Sequence, residues 1–270
     1  MKNTGNSLKV LICVVFVACA FAIGWVSMTP PPAKAALPQT AATVQPETET
    51  ITLSARQNRP KTPKTGEEIY EEADYLAQIL VTTSHDDVEE RSVGSGFLIN
   101  FNGKFLVVTA GHVARIPKHT IRDISISFKN SPSVYYQARV DKVDQKKDIA
   151  TLVITDQDFN FTGRLSRINL EKDFRVGNRV YGLGHPFNLG PSLGEGAIMN
   201  LEKNNGEDRD GNPEAVILHS ATIGPGNSGG PLVDRYGEVI GMNVYVHRTF
   251  YTFGSAVYMT EIINWLVANY

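Results

Sequence analysis

From Gly96 to Met259 the chain is a succession of short β-rich runs, each closed by turn residues, and that rhythm constrains the fold more than any other feature. The runs begin with Gly96–Asn100 and Lys104–Thr109. They continue through Ile149–Ile154, Arg179–Leu183 and Val239–Val246 to Ser255–Met259. Asn102-Gly103, Asp210-Gly211 and Tyr236-Gly237 are turn pairs between them. Many short strands at this spacing predict an all-β fold with antiparallel pairing, a sandwich or a barrel. Two helices frame the strands. Residues 67–80 repeat apolar side chains at Ile69, Ala73, Leu76 and Leu80, and residues 261–268 form a second amphipathic stretch. The roughly 200 residues from 67 onward are enough for a sizeable core. Both cysteines, Cys13 and Cys19, lie upstream, so this part has neither a disulfide nor a thiolate metal site.

Charge divides the chain in the same place. Residues 1–66 carry a net +5 and residues 67–270 a net −7. An acidic folded part argues against nucleic acid as partner. Lys2 and Lys9 precede the uncharged apolar run from Val10 to Val26, which is the pattern of an export segment. Two readings stand side by side over residues 1–28. In one, a signal peptide is cleaved after Ala22 or after Ala35. In the other, a signal anchor is kept and holds the protein at a membrane. Residues 29–66, with Pro30, Pro31, Pro32, Pro38, Pro46, Pro60 and Pro63, read as an extended linker. Either reading puts residues 67–270 outside the cytoplasm.

One constellation carries chemistry. Ser228 lies in Gly-Pro-Gly-Asn-Ser-Gly-Gly-Pro, residues 224–231. Glycines on both sides clear side chains from around the hydroxyl and permit the backbone turns that aim N–H groups at one point. A serine hydroxyl needs a base to become a nucleophile. His112 follows the β-rich run Val107–Ala110, on a loop just past the strand end, and Asp148 stands at the mouth of the apolar strand starting at Ile149. A carboxylate so placed is partly buried and needs a partner, which a histidine N–H supplies.

These segments resemble the trypsin-like serine proteases, most closely the HtrA-type branch. The matches are GSGFLIN at 94–100, VVTAGHV at 107–113, KKDIATLVI at 146–154 and GPGNSGGPLVDRYGEVIGMN at 224–243. A fifth, RVGNRVYGLGHPFNLG at 175–190, has His185 where that branch has Asn. The resemblance covers residues 67–270. It implies two six-stranded antiparallel β-barrels with the site in the cleft between them. It implies Ser228 as nucleophile, His112 as general base and then acid, Asp148 as the group that orients His112, and the N–H groups of Gly226 and Ser228 as oxyanion hole. It implies a pocket for the residue before the cut lined by Thr222, Ile223, Val246, His247, Gly254 and Ser255. No acid stands in these stretches, so Lys and Arg are not expected there; apolar or small side chains are.

The function so implied is a serine endopeptidase acting on proteins or peptides, without metal or cofactor, in envelope quality control or regulated proteolysis. The bacterial periplasm or cell envelope is the default location. Relatives of this branch form homotrimers through N-terminal segments, and Tyr70 and Tyr75 are candidates for that role. Asn227 stands where zymogen-activated trypsins have Asp, so activation by a new amino terminus is not expected. The 42 residues after Ser228 leave no room for the PDZ module usual in the branch. Two alternatives differ in class. The Gly-x-Ser-x-Gly pattern also fits an α/β-hydrolase elbow, but Gly229-Gly230-Pro231 blocks the helix that elbow requires. A catalytically silent, protease-like peptide-binding module is the other.

Overall fold

The structure, a computed structural model, describes residues 62–270 apart from 87, 117, 204–214 and 247–252. The export segment and most of the linker lie outside the described residues. Among the described residues no helix is long and apolar enough to cross a membrane.

The first helix, α1 (Gly66–Glu72), starts at Thr65. The Thr65 hydroxyl accepts the N–H of Glu68 at 3.2 Å, and the Glu68 carboxylate accepts the N–H of Thr65 at 2.7 Å. Glu67 and Glu68 suit the first turn, but the last turn holds acidic residues and no basic one, against the helix dipole. The helix stops there, which corrects the helix expected over 67–80. From Leu76 the chain is strand β1 (Leu76–His85), hydrogen-bonded on both sides. Its β-branched residues Ile79, Val81, Thr82 and Thr83 favour that state, and burial on both faces produced apolar spacings that imitate a helix.

Strands β2 (Val88–Phe101), β3 (Lys104–Ala110), β4 (Thr120–Phe128), β5 (Ser131–Asp144) and β6 (Ile149–Ile154) join β1 in a closed antiparallel barrel, in the order β1-β2-β3-β6-β5-β4. A one-turn helix, α2 (Gly111–Ala114), follows β3 directly. Phe97, Leu106, Ile126, Phe128, Ile149 and Leu152 fill the interior. Phe128 also meets the rings of Tyr136, Phe159 and Phe161, extending the core over the barrel's edge.

A short strand, β7 (Arg167–Ile168), leads to β8 (Arg179–Gly184), β9 (Ser192–Lys203), β10 (Ala215–His219), β11 (Pro231–Asp234), β12 (Glu238–Val246) and β13 (Gly254–Tyr258). Their order is β11-β8-β9-β10-β13-β12, and β11 also pairs with β12, so six antiparallel strands close a second ring. The two-residue β7 adds to β12 in parallel. Val180, Ile198, Ile217, Leu232, Ile240 and Ala256 form its core. The last helix, α3 (Met259–Asn269), buries Ile262, Ile263, Trp265 and Leu266. After it, the Tyr270 hydroxyl donates to Asp141 of the first barrel at 2.7 Å. The fold is the predicted pair of six-stranded barrels with a short helix before and a longer one after.

Candidate active site

The turn between β5 and β6 is shaped by Asp144, whose Oδ1 accepts the N–H groups of Lys146 (3.0 Å) and Lys147 (3.1 Å). It ends at Asp148 in the left-handed region (φ 51°), which Asp tolerates better than most residues. That conformation directs the carboxylate at α2. Oδ1 accepts the backbone N–H of His112 at 2.8 Å, and Oδ2 lies 2.8 Å from His112 Nδ1. The approach depends on Gly111, where a Cβ would stand 3.1 Å from Asp148 Oδ1. Held this way, a neutral His112 carries its proton on Nδ1 and presents a lone pair on Nε2. The ring is half exposed, while Asp148 is mostly covered. His112 thus belongs to a helical turn and not to the loop expected from the sequence.

The serine segment, between β10 and β11, lies against both barrels. The N–H of Ser95 in β2 donates to the Ser228 carbonyl at 2.8 Å, and the N–H of Gly229 donates to the Asn243 carbonyl of β12 at 2.7 Å. Gly229 (φ 86°) is packed so closely that a Cβ would overlap Ser95 O and Thr109 Oγ1 and reach 2.9 Å from Ala110 N. Ser228 is therefore seated beside the end of β3, from which His112 follows. Among the described residues the Ser228 hydroxyl makes no hydrogen bond, to His112 or to any other group, and neither the Gly226 nor the Ser228 N–H has an acceptor.

Gly226 (φ 102°) packs on the carbonyl of His185, and its own carbonyl accepts the Ser95 hydroxyl at 2.7 Å. The Ser95 Oγ in turn accepts the N–H of His185 at 2.9 Å. The neighbouring Phe187, at φ 52°, donates its N–H to the Pro225 carbonyl at 2.7 Å. That bond turns the Pro225 carbonyl toward the Phe187 loop. His185 is buried with Nδ1 unpartnered, and burial pushes its imidazole down to about 4.

Of the expected pocket residues, Ile223 and Gly254 are brought into contact and buried, Ser255 is half-buried, and Thr222 is exposed. Val246 pairs through its backbone with Gly254, and His247 lies outside the described residues. Sequence reasoning missed Ser95, Thr109, His219 and Asn243, all of which touch this region. His219 carried a signal, being the one polar residue of Ala215–His219. Among the described residues no three His, Cys, Asp or Glu side chains are grouped to hold a metal.

Two antiparallel barrels joined by a serine segment, with a histidine–aspartate pair at the same seam, define the trypsin-like class of protein. Residues 94–242 match the family model for the trypsin-like peptidase domain. The chain belongs to that family, and its relatives are of the HtrA type. It is 35% identical over 155 residues to Protease Do-like 1, chloroplastic, of Arabidopsis thaliana, covering 57% of this chain and 33% of the relative. To Serine protease HTRA2, mitochondrial, of Drosophila erecta it is 34% identical over 171 residues, covering 63% and 36%. The chain thus spans about a third of the length of these curated relatives. Among solved structures, "HtrA-type protease AlgW with tripeptide" superposes with a TM-score of 0.64 at 22% identity, over 76% of this chain and 63% of that one. At that identity the likeness speaks for the fold.

Proposed function

We propose that the protein is a serine endopeptidase that cleaves peptide bonds through an acyl-enzyme. His112 Nε2 takes the Ser228 proton as Oγ attacks the scissile carbonyl. The imidazolium then protonates the leaving amine, and water repeats the sequence to release the acid. Asp148 orients the ring and stabilises its cationic form. The N–H groups of Gly226 and Ser228 receive the oxyanion. The observation that carries this reading is the double grip of one carboxylate on the N–H and Nδ1 of His112, each at 2.8 Å. It leaves Nε2 as the base beside a glycine-rich serine segment.

An organophosphonate tests it. A covalent adduct at Ser228 in folded protein, absent from Ser228→Ala, is the expected result. Peptide capture without an adduct favours the silent binding module. A place in the cell envelope, anchored or released, rests on the charged and apolar pattern of residues 2–26; membrane fractionation of cells making the full chain tests it. Assembly as a homotrimer through the N-terminal segment is part of the same reading. Tyr75 does not serve it, being 4% exposed and packed in the core. Half-buried Tyr70, whose hydroxyl donates to the Pro191 carbonyl at 3.1 Å, remains at the surface. Sedimentation of the full chain reads the oligomeric state.

A further inference from the structure

A buried polar atom without a partner forfeits its bonds to water, so such atoms are few in folded proteins. Three of them gather in the second barrel. Both ring nitrogens of His219 (0% exposed) and Oδ1 of Asn243 have no hydrogen-bond partner. The two side chains are neighbours. Burial pushes the imidazole down to about 4, and Asn243 pulls weakly the other way, without closing a hydrogen bond. The His219 ring is therefore neutral near pH 7, with one N–H to give and one lone pair to receive. Asn243 has no donor left, because Nδ2 already serves the carbonyls of Gly230 (3.1 Å) and Pro231 (3.2 Å). What it offers is an acceptor.

These atoms lie under the pocket expected for the residue before the cut. His219 pairs with Gly254 across β10 and β13. A Cβ on Gly254 would stand 2.8 Å from Cε1 and 3.0 Å from Nε2 of His219, and would overlap Cδ1 of Ile223. Facing it, a Cβ on Gly182 would stand 2.8 Å from Cγ2 of Ile223 and 3.6 Å from Nδ2 of Asn243. Without side chains at Gly182 and Gly254, Ile223 packs closely beside His219 and Asn243, and a substrate side chain would reach these polar atoms by displacing Ile223.

We infer that His219 and Asn243 determine specificity as the floor of this pocket, and that it takes an uncharged hydrogen-bonding side chain, an amide or a hydroxyl. This deepens the peptidase reading and rests on it. A side-chain amide gives an N–H to Asn243 Oδ1 and meets either tautomer of His219; a hydroxyl does the same with one atom. A carboxylate would set its oxygens against Asn243 Oδ1. An ammonium would be buried with no counter-charge among these groups. An aliphatic group would leave all three polar atoms unpaired. The polar preference proposed departs from the apolar or small side chains expected from the sequence.

The test is a peptide library offered to the full chain and to His219→Leu. The wild type is expected to cleave after Gln, Asn, Thr or Ser at least ~10-fold better than after Leu or Val, and His219→Leu to abolish or invert that ratio. A wild-type preference for Leu or Val, or a polar preference unchanged in His219→Leu, overturns the inference. If His219→Leu does not fold, the same comparison is made with His219→Gln, which is expected to shift the ratio between amides and hydroxyls while keeping both above Leu; a profile identical to the wild type overturns the inference. A loss of cleavage altogether refutes the peptidase reading and is separated by a second arm. Ser228→Ala is titrated with hexapeptides ending in Gln, Thr or Leu. Tighter binding of Gln and Thr upholds the polar floor even without catalysis; equal binding, or tighter binding of Leu, ends it.

Discussion

The Ser95 hydroxyl donates to the Gly226 carbonyl at 2.7 Å and accepts the N–H of His185 at 2.9 Å, so one side chain of the first barrel holds two loops of the second. Ser95→Ala removes both bonds and leaves a carbonyl and an N–H without partners. The expected cost is about 1–3 kcal/mol of stability. With the Gly226 peptide released, kcat is expected to fall by ~10-fold or more with a smaller change in KM. Steady-state kinetics with a peptide substrate, beside thermal unfolding, measure the two effects.

Asp148 separates charge from geometry. Asn tolerates the left-handed backbone there and keeps an oxygen for the His112 N–H. In Asp148→Asn the His112 ring loses the acceptor that fixes its tautomer, and kcat is expected to fall ~10⁴-fold while the melting temperature hardly moves. An equal loss of stability would show that the pair serves folding instead.

Gly229→Ala meets two penalties at once. Its φ of 86° strains any residue with a Cβ, and that Cβ would overlap Ser95 O and Thr109 Oγ1. A loss of at least ~3 kcal/mol follows, or ~6–12 °C in melting temperature for a domain of this size. Calorimetry reads it directly, and Gly103→Ala is the contrast: its φ is also positive, but nothing lies within 4 Å.

Acid should loosen the protein through two buried rings. His185 and His219 are held near 4 by burial, against an ordinary 6.5 in the unfolded chain. Between those values the unfolded chain binds more protons, so stability is full above pH 6.5 and falls as pH drops toward 4. Each ring contributes up to about 3 kcal/mol to that fall. Urea unfolding at pH 7.5, 6, 5 and 4 measures the slope. Removing one of the rings, as in His219→Leu, is expected to flatten it by about half.

The strand rhythm was legible because edge turns and β-branched runs are local. The expected run Ile149–Ile154 coincides with β6. The pattern reached as far as a sandwich or a barrel, and the pairing of two barrels came from the resemblance to the trypsin-like proteases. Residues 67–80 misled because a strand buried on both faces carries no alternation, so Leu76 and Leu80 continued the spacing of Ile69 and Ala73. The segments around His112, Asp148 and Ser228 announced themselves through glycine and a flanking strand. Ser95 and Asn243 did not, and His219 did so only as the one polar residue of its strand. Each is a polar residue inside a strand, and its meaning comes from a partner 90 or more residues away or from the lack of one.

Ser228 hangs by its carbonyl from the first barrel, and Gly229 by its N–H from the second. The proposed enzyme therefore divides its catalytic groups between two stretches of chain. Cut between exposed Gln157 and Asp158, it yields one polypeptide with the imidazole and carboxylate and another with the hydroxyl. Each half alone would lack part of the proposed triad, while the buried apolar cluster that both halves share, Phe97 and Leu106 with Val233 and Met242 among it, would hold the nicked chain together.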